Sequence, residues 1–276
     1  MAVPADVNGS SRTVPGTEAS SIWRRLSEHR SALWRIASIG LFFLIWEVAG
    51  RIPISFAFPT FLETLRAFVT MTLDGSFVAA YAETLQPLVI GIAISTVIGI
   101  ALGIVMGLSR FAEWLIAPVF IVVQAAPMAA LIPLITFVYG IGLVSKTLAV
   151  IMLSLPVIVL NGYKAVRNAN PSLVAMCYSF QGTWWQRITK IIIPDASPVI
   201  FAGLRLGLAA GFIGVILAEL LITPTGIGDL ITYHRSVANY AEMYAAVVSI
   251  ILVSTLTLAA LEAFELRVLR PEKRRA

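Results

Sequence analysis

The sequence predicts an all-α integral membrane protein with six transmembrane helices, and three observations support this class. Hydrophobic residues make up 58% of the chain and charged residues 13%, whereas soluble domains have roughly 45–50% and about 25%. Apolar segments of about 20 residues, long enough to cross a bilayer, recur along the chain. Lys and Arg are concentrated in alternate connections between those segments, as expected of a multi-pass protein.

Six segments have the length and composition of spans: about 32–50, 84–108, 114–137, 144–162, 198–222 and 243–262. Residues 1–31 are polar and are predicted to form a disordered cytoplasmic tail. A signal peptide is not favoured, because the apolar run starts late and shows no clean cleavage site. The predicted organisation is therefore this tail, a transmembrane domain over 32–265 and a basic C-terminus over 266–276.

The cations predict that both termini are cytoplasmic. With the N-terminus inside, fifteen of the 20 Lys and Arg residues lie on the inner side. The outer side then holds Arg51, Arg66, Lys146 and Arg235, and Arg205 falls within the fifth span. Cytoplasmic connections collect Lys and Arg, so the long connection at about 163–197 is predicted to face the cytoplasm.

Small residues recur at every fourth position in spans two and five. The members are Gly91, Ser95, Gly99, Gly103 and Gly107 in span two, and Gly203, Gly207 and Gly211 in span five. In lipid, small residues let helix backbones approach closely. We therefore predict tight helix contacts along both stripes.

Prolines interrupt spans three and four at Pro118, Pro127, Pro133 and Pro156. Such breaks free backbone carbonyls and are tolerated where neighbouring helices or a water-lined path satisfy them. The pattern favours a bundle with a pathway over a passive anchor, with Pro127 and Pro133 as pathway candidates.

The connection at 163–197 is longer than a simple link requires. Asn170-Pro171 is typical of a helix start, and an apolar face follows at helical spacing: Leu173, Met176, Cys177 and Phe180. Gly182 is predicted to end this helix, and a second helix is predicted from Trp184 to Pro194. A short apolar face without a basic flank favours docking on a protein over binding to lipid.

This segment resembles the cytoplasmic coupling loop of ABC importer permeases. That family's pattern is Glu-Ala-Ala, three residues, Gly, nine residues, then Ile-x-Leu-Pro. At the same spacing this chain has Ala175-Met176-Cys177, Gln181 and Ile191-Ile192-Ile193-Pro194. Ala175 replaces the Glu and Gln181 replaces the Gly, with Gly182 one position later.

Three further segments resemble the nitrate, sulfonate, taurine and bicarbonate subgroup of these permeases. They are QAAPMAALIPLITFVYGIGLVSK (124–146), PDASPVIFAGLRLGLAAGFIGVILAEL (194–220) and TGIGDLI (225–231). The resemblance covers about residues 36–270. It implies a type I ABC importer permease-like bundle with a cytoplasmic coupling helix, forming the path for a small anion by alternating access in the cell inner membrane.

The resemblance also implies the partners of this chain and the residues that meet them. The partners are a cytoplasmic ATP-binding subunit, an extracytoplasmic substrate-binding protein and a second permease copy in a homodimer. ATP and Mg would be bound by the ATPase, with no cofactor in this chain. The residues implied in ATPase coupling are Leu173, Ala175, Met176, Cys177, Phe180, Gln181, Gly182, Ile191 and Pro194, with Trp184 and Trp185 as membrane anchors.

Two ionisable residues lie at membrane depth, where such groups are costly and often functional. Arg205 is expected either to reach the inner headgroups, to pair with a helix-end carbonyl or to line the pathway. Glu219 is expected either to cap a loop or, as the favoured interpretation, to be a gating or subunit contact. It is not interpreted as a substrate ligand, because a carboxylate repels an anion. His234 is expected in a solvated outer loop, and Cys177 as a small packing residue.

Other chemistries find little support. GIGLVSKT (140–147) has Ser145 where a phosphate-binding loop requires its second Gly, and it is predicted to face outside. One Cys and two His leave little for a metal site, and the basic charge follows topology rather than nucleic-acid binding. The remaining alternatives are an ion-coupled secondary transporter, or a membrane-embedded enzyme.

Overall fold

The computed structural model describes residues 34, 37–52, 57–222 and 224–269, and over those residues the chain is helical without strands. In chain order the elements are α1 (residues 37–51), α2 (Phe61–Leu73), α3 (Ser76–Leu108), α4 (Arg110–Ala125), α5 (Met128–Tyr139), α6 (Leu143–Arg167), α7 (Pro171–Ser179), α8 (Trp184–Arg187), a π-helical turn (Ile188–Ile192), α9 (Ile193–Leu221), α10 (Ile227–Ser236) and α11 (Tyr240–Leu269). The predicted tail over 1–31 and the C-terminal residues 270–276 lie outside the described residues.

The described residues fall into two compact units, which divide between Leu62 and Glu63. In the first unit, the rings of Phe43 and Trp46 on α1 pack against Phe61, with centroids 4.5 and 5.7 Å apart. Glu47 accepts a hydrogen bond from the Leu62 backbone N–H at 3.0 Å. The predicted first span begins outside the described residues, and its positions 37–50 are helical.

In the described part of the chain, four helical runs are long and apolar enough to cross a membrane: Ser76–Leu108, Leu143–Arg167, Trp184–Leu221 and Tyr240–Arg267. Helices α4 and α5 meet the same criterion together, but they are bent by 98°. These runs correspond to predicted spans two to six, so the all-α membrane class is confirmed.

The predicted third span, 114–137, is a broken pair rather than one helix. The break falls at Ala126, whose backbone is extended with φ −68° and ψ 142°. The ring of Pro127 disfavours helical geometry in the preceding residue, so α4 ends there and α5 begins after the proline. Pro118 and Pro133 lie inside α4 and α5 and do not end them.

The small residues of α3 lie against α6. An added Cβ at Gly91 would lie 2.6 Å from Val150, and one at Gly99 would lie 2.7 Å from Ile158. Ser95 accepts a hydrogen bond from the Ser154 hydroxyl at 2.8 Å. Since contact positions rise together along both helices, α3 and α6 are parallel.

The small residues of α9 also lie against α6. An added Cβ at Gly203 would meet Asn161 at 2.6 Å, and one at Gly214 would meet the Ala149 carbonyl oxygen at 2.8 Å. Here contact positions rise on α9 as they fall on α6, so the two helices are antiparallel. Helices α3, α6 and α9 therefore pack against one another, and Gly211 of α9 also lies against Ile92 of α3. Because α3 and α6 are parallel, the bent pair α4–α5 that connects them must cross back over the membrane.

The predicted helix ending at Pro194 is wrong at its C-terminal boundary. The chain runs from Trp184 to Leu221 without a helix break, through the π-helical turn and into α9. A proline inside an α-helix lacks an N–H and clashes with the preceding turn. Pro194 directly follows the widened π turn, at the first positions of α9, where the missing N–H is tolerated.

We predict that Gly103→Val separates α3 from α6 and destabilises the protein by about 1–3 kcal/mol, because overpacking forces the backbones apart. A Cβ at this position would lie 3.0 Å from backbone atoms of Gly162 and Tyr163, which cannot rotate away. The measurement is the melting temperature in detergent by fluorescence-detected gel filtration. Ala101→Val, at an exposed position of α3, is the matched control, and equal melting of both variants would contradict the prediction.

Candidate functional site

Helix α7 is a short, capped helix between α6 and α8. The Asn170 side chain accepts a hydrogen bond from the Ser172 backbone N–H at 2.9 Å, and Pro171 occupies the first helical turn. These two residues start the helix where the sequence predicted it, since Asn satisfies a free N–H and Pro has none to satisfy.

The two faces of α7 differ in exposure. Met176 is 49% exposed and Phe180, at the C-cap, is 80% exposed. Cys177 is 8% exposed, and Val174 is half-buried on the same side. The sequence analysis placed Cys177 together with Met176 and Phe180; the structure instead buries it on the opposite face, which leaves Leu173, Met176 and Phe180 as the outward apolar residues.

The end of α7 explains two departures from the family pattern. Helix α7 ends at Ser179, before the predicted Gly182, and Gln181 has φ +55°. That left-handed region favours glycine, so Gln181 stands in the conformation that the family's Gly would adopt. Gly182 donates its N–H to the Cys177 carbonyl at 2.9 Å, and a side chain there would collide with Cys177 Sγ.

The second half of the segment begins with a reciprocal cap. Thr183 accepts from the Gln186 N–H at 3.3 Å, and Gln186 accepts from the Thr183 N–H at 2.8 Å. Trp184 and Trp185 are exposed and pack edge to face. The remaining predicted coupling residues are exposed at Ala175 and Pro194 and half-buried at Ile191.

A second polar site is buried where α3, α6 and α9 meet. Glu219 accepts from Lys146 Nζ at 2.9 Å and from Thr84 Oγ1 at 2.9 Å, and its other oxygen accepts from the Gly228 N–H at 3.0 Å. The Lys146 and Glu219 side chains are 3% and 0% exposed. Lys146 also donates to the Thr225 carbonyl at 3.1 Å.

This site holds the connection between α9 and α10 against the bundle. Gly226 has φ +96°, and a Cβ there would collide with the Glu219 carboxylate. The Ile227 N–H donates to Thr84 Oγ1 at 3.0 Å. Of the roles expected from the sequence for Glu219, a loop cap, a gate or a subunit contact, the hydrogen bonds match the loop cap, because Glu219 binds the Gly228 N–H at the start of α10.

Sequence reasoning missed the role of Lys146, which it counted among the outer cations. A usable signal existed: Lys146 and Glu219 occupy the outer ends of predicted spans four and five, at the same level of the membrane. Opposite charges at one membrane depth are expected to pair.

Arg205 joins α9 to α11. It contacts Glu265 at 2.6 Å and Glu262 at 3.3 Å. The sequence analysis offered headgroups, a helix-end carbonyl or the pathway; two carboxylates of the last helix are the partners instead. Their charges offset that of Arg205, which disfavours a role as an anion ligand.

The other candidates lie elsewhere. Pro127 is at the α4–α5 bend and Pro133 is within α5. His234 lies on α10 rather than in an open loop. The predicted coupling residues, Glu219, Arg205 and the two prolines therefore lie at separate positions in the bundle and do not form one site.

A bundle of apolar helices of this kind, carrying a short amphipathic helix between two spans, defines a polytopic membrane protein. Residues 95–270 match the family model described as "Binding-protein-dependent transport system inner membrane component". The chain belongs to this family, and it is the permease component of an ABC transport system. The family predicted from the sequence motifs is thus confirmed.

Relatives extend the match over most of the chain. A putative aliphatic sulfonates transport permease protein of Escherichia coli is 30% identical over 77% of this chain and 80% of its own length. The counterpart in Bacillus subtilis is 23% identical over 89% of this chain and 90% of its own length. A riboflavin transport system permease protein of Chloroflexus aurantiacus is 34% identical, but the match spans 54% of this chain and 55% of that protein.

Solved structures support the fold. The inward-facing MetNI methionine ABC transporter superposes with a TM-score of 0.59, at 16% identity, over 70% of this chain and 97% of that chain. An amino acid ABC transporter superposes with a TM-score of 0.57, at 19% identity, over 73% of this chain and 98% of that chain. The type I ABC importer permease fold predicted from the sequence is confirmed.

Proposed function

We propose that this chain forms the membrane path of an ATP-driven importer for small organic sulfonates. The outward face of α7 carries this proposal, because Met176 and Phe180 expose apolar side chains on a helix that is capped and anchored. A helix of this kind fits a hydrophobic groove on a partner protein. The partner is a cytoplasmic ATPase that binds ATP and Mg, and this chain itself carries out no hydrolysis.

The orientation and assembly belong to the same proposal. Both termini face the cytoplasm, because fifteen of the 20 Lys and Arg residues are then on the inner side. Two copies of the chain enclose the path, and an extracytoplasmic binding protein delivers the substrate. Alternating access follows from closure of the two ATPases, which moves α7 and the spans attached to it.

The sulfonate class is favoured by the extent of the matches. Two relatives named as sulfonate permeases align over 77% and 89% of this chain, and a taurine transport system permease of Escherichia coli is 26% identical over 61%. The riboflavin permease aligns over 54%. A sulfonate is a small anion, in agreement with the class expected from the sequence.

The test is a purification of the tagged chain in mild detergent with the proteins encoded beside its gene, followed by uptake in proteoliposomes. We expect an ATPase to co-purify, and labelled taurine or ethanesulfonate to accumulate only with internal ATP and the binding protein. Riboflavin is the competing substrate. Uptake of riboflavin but not of either sulfonate would contradict the substrate class, and uptake driven by a proton gradient without ATP would contradict the mechanism.

A further inference from the structure

One polar contact ties the start of α7 to the start of α9. Asp195 Oδ2 accepts a hydrogen bond from the Asn170 backbone N–H at 2.8 Å. We propose that Asp195 is a positioning residue that transmits movement of α7 to the transmembrane helix α9. This inference rests on the proposed function, since it requires an ATPase that acts on α7.

Asn170 forms two hydrogen bonds, one through its side chain and one through its backbone N–H. Its side chain caps α7 through the Ser172 N–H, and its own N–H is bound by Asp195. The contact joins the two ends of the segment 170–195, which contains α7, α8 and the π-helical turn. The two ends of the segment are therefore linked, and the N-cap of α7 cannot move away from α9 without breaking the hydrogen bond between Asn170 and Asp195.

The Arg187 guanidinium lies 4.8 Å from the centre of the Tyr178 ring, and the other described side-chain packing of α7 is apolar and lies on one helical face. Val174 packs on a cluster of buried residues from α6, the π-helical turn and α9: Ala165, Val166, Ile188, Ile192, Ala196 and Ile200. Val174 and Cys177 face inward, while Asn170 at the N-cap and the other α7 residues are exposed. Apolar contacts are non-directional and permit sliding, whereas a hydrogen bond to a charged oxygen has a defined length and direction. Asp195 therefore sets the position of α7 relative to α9.

Helix α9 leads from this contact to the buried ion pair. Asp195 lies in its first turn and Glu219 in its last, about 36 Å apart at the helical rise per residue. Glu219 holds Gly228 and, through Lys146, Thr225. A displacement imposed at Asp195 is thus carried by a continuous helix to the connection between α9 and α10.

The experiment measures this transmission without requiring a known substrate. The permease–ATPase complex is purified twice, once with the wild-type chain and once with Asp195→Ala. For each complex, hydrogen–deuterium exchange of the peptide containing Glu219 is measured without nucleotide and after trapping with ATP and orthovanadate. In wild type, trapping is expected to change the exchange of this peptide. In Asp195→Ala most of the nucleotide-dependent change is expected to be lost, because the hydrogen bond that fixes α7 relative to α9 is absent, while the ATPase remains bound.

Two variants serve as controls. Asp195→Asn keeps an acceptor oxygen without the charge and is expected to give an intermediate change. Ser197→Ala removes a hydroxyl that donates to the Pro194 carbonyl within the same helix turn, and it is expected to behave as wild type.

Each remaining outcome decides the question. A full nucleotide-dependent change in Asp195→Ala overturns the proposal, and so does release of the ATPase from that variant, since Asp195 would then belong to the docking face. If Asp195→Ala does not assemble, a change in Asp195→Asn equal to wild type overturns the proposal and a reduced one supports it. If no ATPase binds the wild-type chain, the proposed function fails instead.

Discussion

Lys146→Met is expected to destabilise the protein by about 3–5 kcal/mol, because it leaves a buried carboxylate without its counter-ion. The Glu219 side chain has no exposed surface, so water cannot replace the lost ammonium. Thr84 and the Gly228 N–H remain as donors, but neither carries a charge. Loss of the pair also removes the contact of Lys146 with Thr225, so the connection before α10 is expected to loosen.

The measurement is thermal unfolding in detergent, followed by gel filtration of the fluorescent fusion. Lys164→Met is the matched control, because Lys164 lies on the same helix at an exposed position. It is expected to melt as wild type.

The double variant Lys146→Met with Glu219→Gln separates pairing from packing. Replacing both charges removes the uncompensated carboxylate, and buried pairs can often be replaced without loss of stability. We therefore expect the double variant to recover most of the melting temperature lost in Lys146→Met. A single variant as stable as wild type, or a double variant no better than the single one, would show that the pair does not hold this end of the bundle.

Phe180→Asp is expected to weaken binding of the ATPase by at least about 2 kcal/mol, or roughly thirtyfold in Kd, as loss of a central aromatic contact does at protein interfaces. Phe180 is 80% exposed in the isolated chain, so the substitution leaves the fold of the permease intact. The introduced charge would have to be desolvated in an apolar groove, which adds to the loss.

Co-purification of the ATPase with the tagged permease measures this effect, and Met176→Asp is expected to act in the same direction. Phe180→Leu keeps an apolar side chain and is expected to retain most of the binding. The prediction fails if Phe180→Asp retains the ATPase at the wild-type ratio. Loss of the permease itself from the membrane fraction would point to misfolding, which the melting profile of the purified chain distinguishes.

Features that depend on neighbouring residues were predictable. The cap and proline at Asn170-Pro171 placed the start of α7, since both effects act within one helical turn. The spacing of small residues from Gly91 to Gly107 marked one face of α3, because a four-residue period follows one side of a helix. Local periodicity did not indicate which helix packs against these small residues. In the structure, the small residues of both α3 and α9 pack against α6.

Features that depend on contacts distant in sequence were missed or misplaced. By its spacing in the sequence, Cys177 can belong to either face of α7. Only its packing against Gly182 shows that it lies on the buried face. Pro194 is typical of a helix end in the sequence, but the π-helical turn before it allows the helix to continue. Lys146 and Glu219 are 73 positions apart, and their pairing depends on how α6 and α9 are arranged.

By itself, the sequence determined the membrane class, the family and the positions of most spans, because these follow from composition, hydropathy and short motifs along the chain. The tertiary structure alone decided which residues are enclosed, namely the Lys146–Glu219 pair and the inward face of α7, and which distant residues meet, as Asn170 and Asp195 do at the surface. Burial and pairing arise where separate helices meet, and a charge in an apolar segment acquires a partner only when the fold brings one within reach.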